Sequence, residues 1–221
     1  MRLKFPDSLR FLKKLLLACL IAGLCYFIWN RTSVSGYKTQ NISDFHYIDY
    51  PSEYNYKQIS TYCGPFSTAA VVRALTGKQV DSFEYSENIG WRIFEKGTHP
   101  IGLSRQLEEQ GVNVEIAKLN KLSDNERLLF LQERLSQGKP IIILGEKNSY
   151  QHYVTLFGFN KEKQEYYIYD SWCPEASKGL VVDENGSLPG NLTLNSKELL
   201  SFWRKGGIFT FYEWYALVAS Q

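Results

Sequence analysis

The sequence predicts an α+β domain preceded by one apolar N-terminal helix. Helical periodicities gather in the middle of the chain, alternating runs of strand formers gather towards its end, and a basic-then-apolar segment precedes both. A length of 221 residues accommodates one ordinary domain with a short appendage. Hydrophobic residues at 44% and charged residues at 22% mark a globular chain rather than a disordered one. The aromatic content of 15% predicts a Tyr-rich sheet and core.

Residues 1–10 form a basic tail and residues 11–30 an apolar helix. Leu15 to Trp29 is an unbroken apolar run of fifteen residues. It spans about 22 Å as a helix, or about 28 Å with Phe11 and Leu12 included and Lys13 and Lys14 reaching back to headgroups. Tyr26 and Trp29 suit the far interface. Arg2, Lys4, Arg10, Lys13 and Lys14 all precede the run, so the pattern predicts a cytoplasmic tail, a single-pass signal anchor and an extracytoplasmic domain. A signal peptide cut near Ser33-Val34-Ser35, giving a secreted protein, is the alternative.

Setting those thirty residues aside leaves 20 basic and 22 acidic residues in 31–221. A nearly neutral domain lacks the electrostatic footprint of a nucleic-acid binder, and that class is excluded. The histidines His46, His99 and His152 and the cysteines show no metal-site spacing, so neither a metal nor a cofactor is expected. Asn30, Asn41, Asn185 and Asn191 stand in Asn-x-Ser/Thr sequons, which matter only in a eukaryotic host.

Residues 31–50 read as a linker and 51–221 as the domain. The first helix of the domain begins at Cys63, with Pro65 in its first turn and Phe66, Ala69, Ala70, Val72 and Leu75 on the helical period; Gly77 stops it. It is apolar around most of its circumference, which predicts burial. A second helix covers Leu103 to Gln110 and leads into a strand at Val112 to Ala117. The third opens on the capping box Ser123-x-x-Glu126 and packs through Leu128, Leu131 and Leu135. Ile141 to Leu144 follows as a buried strand. His152 to Phe159 and Glu165 to Tyr169, joined by a polar turn, predict a β-hairpin. A strand pair at Gly179–Val182 and Leu192–Leu194, a short helix capped by Asn195, and a closing strand from Trp214 to Ala219 complete the order.

Three side chains in this frame point to nucleophilic chemistry. Cys63 lies at a helix N-terminus, whose partial positive charge favours a thiolate. His152 opens one strand of the hairpin and Asp170 ends the other, an arrangement that can hold an imidazole beside a carboxylate. Each has an ordinary alternative in isolation: a buried inert cysteine, a surface histidine, a turn-forming aspartate. Together, in the order Cys, His, Asp, they fit a nucleophile, its base and the group that orients the base. Gln58, five residues before Cys63, is placed to aim its amide at a developing oxyanion. Gly64 and Tyr153, next to the nucleophile and the base, are read as substrate-contacting positions. Cys173, three residues after Asp170, either pairs with Cys63 in an oxidising compartment or stays free.

The stretch Gln58-Ile-Ser-Thr-Tyr-Cys-Gly-Pro-Phe-Ser-Thr-Ala-Ala resembles the nucleophile segment of the papain-like cysteine peptidases that include bacteriocin leader peptidases, cysteine peptidase family 39. Gly138-Lys-Pro-Ile-Ile-Ile-Leu, Gln151-His-Tyr-Val-Thr-Leu-Phe-Gly-Phe and Tyr167-Ile-Tyr-Asp-Ser resemble its base and carboxylate segments. The resemblance covers roughly 51–175. It implies a papain-like fold, with an N-terminal helical lobe carrying the nucleophile and a C-terminal antiparallel sheet. It also implies a Cys63–His152–Asp170 triad with Gln58 in the oxyanion hole, and peptide hydrolysis through an acyl-enzyme. Peptides or proteins at the cell surface or in the periplasm would be the substrates. The residues hold no Gly-x-x-x-x-Gly-Lys phosphate loop of the kind carried by the exporters to which many members are fused. Phytochelatin synthases resemble the chain in the Cys-Gly segment and the eighteen-residue His-to-Asp spacing, which makes γ-glutamylcysteine transfer the alternative chemistry. A non-catalytic binding module on the same scaffold is the third reading.

Overall fold

The computed structural model describes residues 7–31, 42–92, 97–173, 185–207 and 211–221. The chain divides into Met1–Ser33 and Val34–Gln221. The first unit carries α1 (Asp7–Arg31), on which Leu16, Leu20 and Leu24 are exposed. No helix among the described residues is long and apolar enough to cross a membrane, so the transmembrane anchor read over 11–30 finds no support here. The expected cleavage site at 33–35, the strand at 179–182 and the Asn41 sequon lie outside the described residues, as do the side chains of Tyr26 and Trp29.

Among the described residues, the second unit is built on one antiparallel sheet of seven strands. In chain order its elements are β1 (Phe45–Tyr47), a 3-10 turn (Ser52–Tyr54), α2 (Cys63–Thr76), α3 (Ser82–Asn88), α4 (Pro100–Glu109), β2 (Asn113–Lys118), α5 (Asp124–Ser136), β3 (Ile141–Lys147), β4 (Tyr150–Asn160), β5 (Glu165–Tyr169), β6 (Leu192–Asn195), α6 (Ser196–Trp203) and β7 (Tyr215–Ser220). The strand order is β2-β7-β3-β4-β5-β6, and β1 pairs with β4 at Gly158 to Asn160, past the end of its pairing with β3. Residues 42–50, read as linker from composition, thus supply a strand and the buried Tyr50.

Both faces of the sheet are covered, which is why Ile141 to Leu144 is apolar without alternation. Ile141 and Ile143 pack with Leu131 and Leu135 of α5 and Leu199 and Trp203 of α6. Ile142 and Leu144 pack on the other face with Val71 and Val72 of α2 and Leu103 and Leu107 of α4. The nucleophile helix α2 packs with α3 and α4 on one face, α5 and α6 lie across the sheet from it, and Val34–Gln221 is one compact unit. The aromatic content concentrates beneath α2, where Tyr50 stacks on Phe157 at 4.4 Å and lies 5.7 Å from Tyr169.

The local signals act as their chemistry requires. Ser123 and Glu126 close a capping box on α5, and Asn195 with Glu198 closes another on α6. Gly77 ends α2 in the left-handed conformation, its N–H donating to the Arg73 carbonyl. The hairpin of β4 and β5 pairs Thr155 with Tyr169, so continuing the ladder by one residue sets Asp170 diagonally across from His152.

Candidate active site

The nucleophile end of the site is made by consecutive residues. Cys63 is the first residue of α2, and no side chain caps that helix: its N-cap residue, Tyr62, offers none. The free N–H groups of the first turn therefore face whatever lies at the helix tip. The Cys63 side chain is 8% exposed. Burial pushes its thiol up. The hydrogen bond to His152, the charge of that imidazole and the backbone N–H groups of Tyr153 and Gly64 outweigh burial, and the thiol falls below its ordinary value.

His152 is only 1% exposed and joins both partners. Its Nε2 lies 2.7 Å from Asp170 Oδ1, which leaves Nδ1 to meet the Cys63 sulfur. Burial opposes a charge on the ring, but the charge and hydrogen bond of Asp170 and the hydrogen bond with Cys63 raise the imidazole to about 9. A lowered thiol and a raised imidazole favour the thiolate–imidazolium pair over thiol and neutral ring. In that state Nε2–H donates to Asp170 and Nδ1–H to the sulfur. Trp172 meets the imidazole edge-on at 5.5 Å and Phe202 at 6.4 Å, walling it from water. Phe202 reaches that position because Gly145, paired with His152 across the β3–β4 ladder, has no side chain in its way.

Asp170 is held from several directions. Its Oδ1 accepts from His152 and from the Trp172 N–H at 2.8 Å, and its Oδ2 accepts from Lys147 Nζ at 2.5 Å. Lys147 Nζ also donates to the Trp172 carbonyl at 2.6 Å. Burial alone would raise the carboxyl; His152 and Lys147 hold it below the usual carboxylate value. Asn191 then fixes the backbone: its Oδ1 accepts from the Asp170 N–H at 2.8 Å and its Nδ2 donates to the Asp170 carbonyl at 2.9 Å. Gly190 makes this possible. It has φ +78, and a Cβ there would lie 2.2 Å from the Ile168 carbonyl oxygen.

The sequence-predicted residues are thus placed as follows. Cys63, His152 and Asp170 come together. Gln58 is stitched to the residue after Asp170: its N–H donates to the Ser171 carbonyl, and its Oε1 accepts from Ser171 Oγ at 2.7 Å. Its Nε2 donates one hydrogen to the Ser60 carbonyl at 2.8 Å. The Cβ direction of Gly64 is filled: a Cβ there would meet Leu103 Cδ1 at 3.0 Å, Thr98 Cβ at 3.3 Å and Tyr153 Cδ2 at 3.4 Å. Tyr153 is 4% exposed, its ring in the core and its hydroxyl donating to the Thr98 carbonyl, so only its backbone N–H reaches the site. Cys173 is half-buried and, like Cys63, a free thiol.

Sequence reasoning missed Lys147, Trp172 and Asn191. The Asn191 sequon is sterically unusable for a glycan, since that side chain is 5% exposed and spent on Asp170. Lys147 ends β3, the strand that pairs with the His152 strand, three residues past the strand end read from the sequence. Two cavities, of about 470 and 390 Å³, are lined by Tyr85, Trp91 and Arg105 and by Tyr56, Val80 and Phe83 respectively, and no member of the Cys63 site lines either.

A sequence model of the Peptidase_C39 like family matches residues 42–185, a span that includes Gln58, Cys63, His152 and Asp170. No curated protein matches the sequence. Among solved structures, the chain is similar to a double-glycine-motif protease from an AMS/PCAT transporter, solved with its leader peptide: 15% identity, 80% of this chain and 95% of that one covered, TM-score 0.49. It is also similar to the peptidase domain of Streptococcus ComA, a bifunctional ABC transporter involved in quorum sensing: 17% identity, 75% and 96% covered, TM-score 0.47.

Proposed function

The chain belongs to the Peptidase_C39 like family, and from that premise we propose that it is a thiol peptidase working through Cys63, His152 and Asp170. The observation that carries the proposal is the position of His152, between the Cys63 sulfur and an Asp170 oxygen 2.7 Å away. In this reading the resting pair is thiolate and imidazolium, the state that the lowered thiol and raised imidazole favour. The thiolate attacks the scissile carbonyl; the negative charge moves to the carbonyl oxygen, where the first-turn N–H of Cys63 and the second hydrogen of the Gln58 amide stabilise it. Collapse of the tetrahedral adduct breaks the C–N bond as His152 Nδ1–H protonates the departing amine. A thioester on Cys63 remains. Neutral His152 then takes a proton from water, whose oxygen attacks the thioester, and the carboxylic acid leaves as the thiolate–imidazolium pair re-forms. Asp170 keeps Nε2–H in place throughout and stabilises the imidazolium.

We also infer an extracytoplasmic domain. The support is the placement of all five early basic residues ahead of the apolar run, which suits export whether residues 11–30 are retained or cleaved. Peptides or proteins outside the cytoplasm would then be the substrates. Reporter fusions at the C-terminus, active only inside or only outside the cytoplasm, check the location.

The chemistry is tested by alkylating Cys63 with iodoacetamide at pH 6 and reading the Cys63 peptide by mass spectrometry. The intact site reacts as a thiolate, and His152→Ala slows the reaction by about 10²-fold or more. Equal rates in the two proteins would remove the basis for an enzyme.

A further inference from the structure

We propose that Lys147 is a positioning residue of this site, which shares the Asp170 carboxylate with His152 and so limits how tightly that carboxylate holds the imidazolium. The inference rests on the Cys63–His152–Asp170 reading given above. It adds a group whose effect is to place the upper pH limit of the working ion pair.

The geometry is that of a divided carboxylate. Oδ1 takes the imidazole at 2.7 Å and Oδ2 takes the ammonium at 2.5 Å, so one negative charge serves two cations. Lys147 sits at the end of β3, and its ammonium is fixed a second time by the Trp172 carbonyl at 2.6 Å, beside the ring that covers His152. Its side chain is 31% exposed, whereas those of His152 and Asp170 are 1% and 7% exposed. A partly solvated cation therefore touches a nearly sealed ion pair from the outside.

Among the described residues, Lys147 is the cation alongside His152 that tempers the carboxylate. Facing the imidazole are Cys63 from α2 and Asp170 from the end of β5, with the uncharged Phe202 from α6. Facing the carboxylate are His152, Lys147 and Tyr169, the last kept neutral because burial raises its hydroxyl well above the ordinary value. Glu146, the neighbour of Lys147 on β3, is turned to Lys205 at 3.5 Å.

The chemical reason for such a brake lies in the second half of acyl-enzyme formation. His152 must give its proton to the departing amine, and a ring that binds its proton too strongly is a slow acid. A buried carboxylate serving the imidazole alone would push the ring in that direction. Neutralising part of that charge through Lys147 pulls it back.

The test is an NMR titration of the full chain in detergent micelles with ring-¹⁵N histidine, following the His152 signals. Removing the ammonium in Lys147→Met or Lys147→Gln raises the His152 midpoint by about half to one pH unit. Lys147→Arg, which keeps the charge, leaves the midpoint within about 0.2 units of the parent. A midpoint unchanged or lowered in both neutral variants overturns the proposal, and so does loss of the folded state in both, which would make Lys147 a structural residue. The alkylation comparison with His152→Ala separates the two levels. If that variant reacts as fast as the parent, the peptidase reading fails. If it is slow while the Lys147→Met midpoint stays put, only the role of Lys147 fails.

Discussion

The two partners of the His152 imidazole are held by different kinds of construction. Cys63 takes its place mainly from the residues beside it in the chain: Tyr62 leaves the helix tip uncapped, Pro65 sits in the first turn, and the Gly64 N–H supports the sulfur, joined from β4 by the Tyr153 N–H. Asp170 takes its place from groups spread over the domain, with Lys147 from β3, Trp172 from the following loop and Asn191 from the stretch before β6. One end is local and built mostly from backbone. The other is mostly long-range and built mostly from side chains, the Trp172 N–H excepted. Substitutions at the local end should therefore change chemistry with little effect on stability, and substitutions at the long-range end should change both.

The sharpest break between the ends is Cys63→Ala. Losing the sulfur removes the nucleophile, so peptide hydrolysis falls by about 10³-fold or more. The buried site accepts the smaller side chain with the Asp170–His152 pair intact, and urea unfolding shifts by only about 1 kcal/mol. Retained hydrolysis would move the nucleophile elsewhere in the chain.

Asn191→Ala probes the opposite end. It deletes two hydrogen bonds to the Asp170 backbone and leaves a buried N–H and C=O unpaired. The expected cost is about 2–4 kcal/mol in urea unfolding, together with roughly tenfold slower turnover as Asp170 loosens from His152. A loss below 1 kcal/mol would show that the carboxylate end is held by fewer groups than its geometry suggests.

The same contrast explains what the sequence disclosed. Cys63 at a helix start, His152 at a strand start and Asp170 at a strand end are all readable from local periodicity, and so were both capping boxes. Asn191 was not, because a residue that binds the backbone of another twenty-one positions away leaves no local pattern. It looked like a glycan acceptor until its burial was known. Lys147 lay past the strand read over Ile141 to Leu144, and its link to Asp170 spans twenty-three positions. The packing at Gly64 and Tyr153 was hidden for a related reason: adjacency to a reactive residue says nothing about which way a side chain faces, and the Gly64 Cβ direction and the Tyr153 ring both turn inward. The placement of α5 and α6 across the sheet from α2 was equally hidden. A continuous apolar strand such as Ile141 to Leu144 shows that both faces are covered, but not by which helices.

The ion pair between the two ends makes stability depend on pH in a definite direction. His152 is raised to about 9 in the folded chain, against 6.5 for the free group. Its contribution is fully present below about 6.5 and is lost as pH rises through about 9. Asp170 is shifted down, so its contribution is present above the ordinary carboxylate value and disappears as pH falls through its lower folded value. Melting temperature should therefore hold a plateau between the ordinary carboxylate range and about 6.5 and decline on both sides. The alkaline decline is softened by the lowered Cys63 thiol, whose contribution grows as pH rises, and His152→Ala should flatten that alkaline decline. An alkaline decline of equal size in that variant would assign it to other groups, such as surface lysines and tyrosines.

The smallest effect belongs to Gly64→Ala, and it separates packing from substrate access at the local end. The new Cβ would stand 3.0 Å from Leu103 Cδ1 and 3.3 Å from Thr98 Cβ, so the neighbouring side chains must give by a few tenths of an ångström. Leu103 is fully buried in the cluster beneath α2 and has little room to move, which makes a loss of about 1 kcal/mol the expected result. The Gly64 N–H that supports the sulfur is retained in alanine, so Cys63 alkylation at pH 6 should stay within about twofold of the parent. Turnover falling tenfold with stability unchanged would mean that the bare Cα of Gly64 faces the substrate after all, and that the local end is shaped for binding as well as for ionisation.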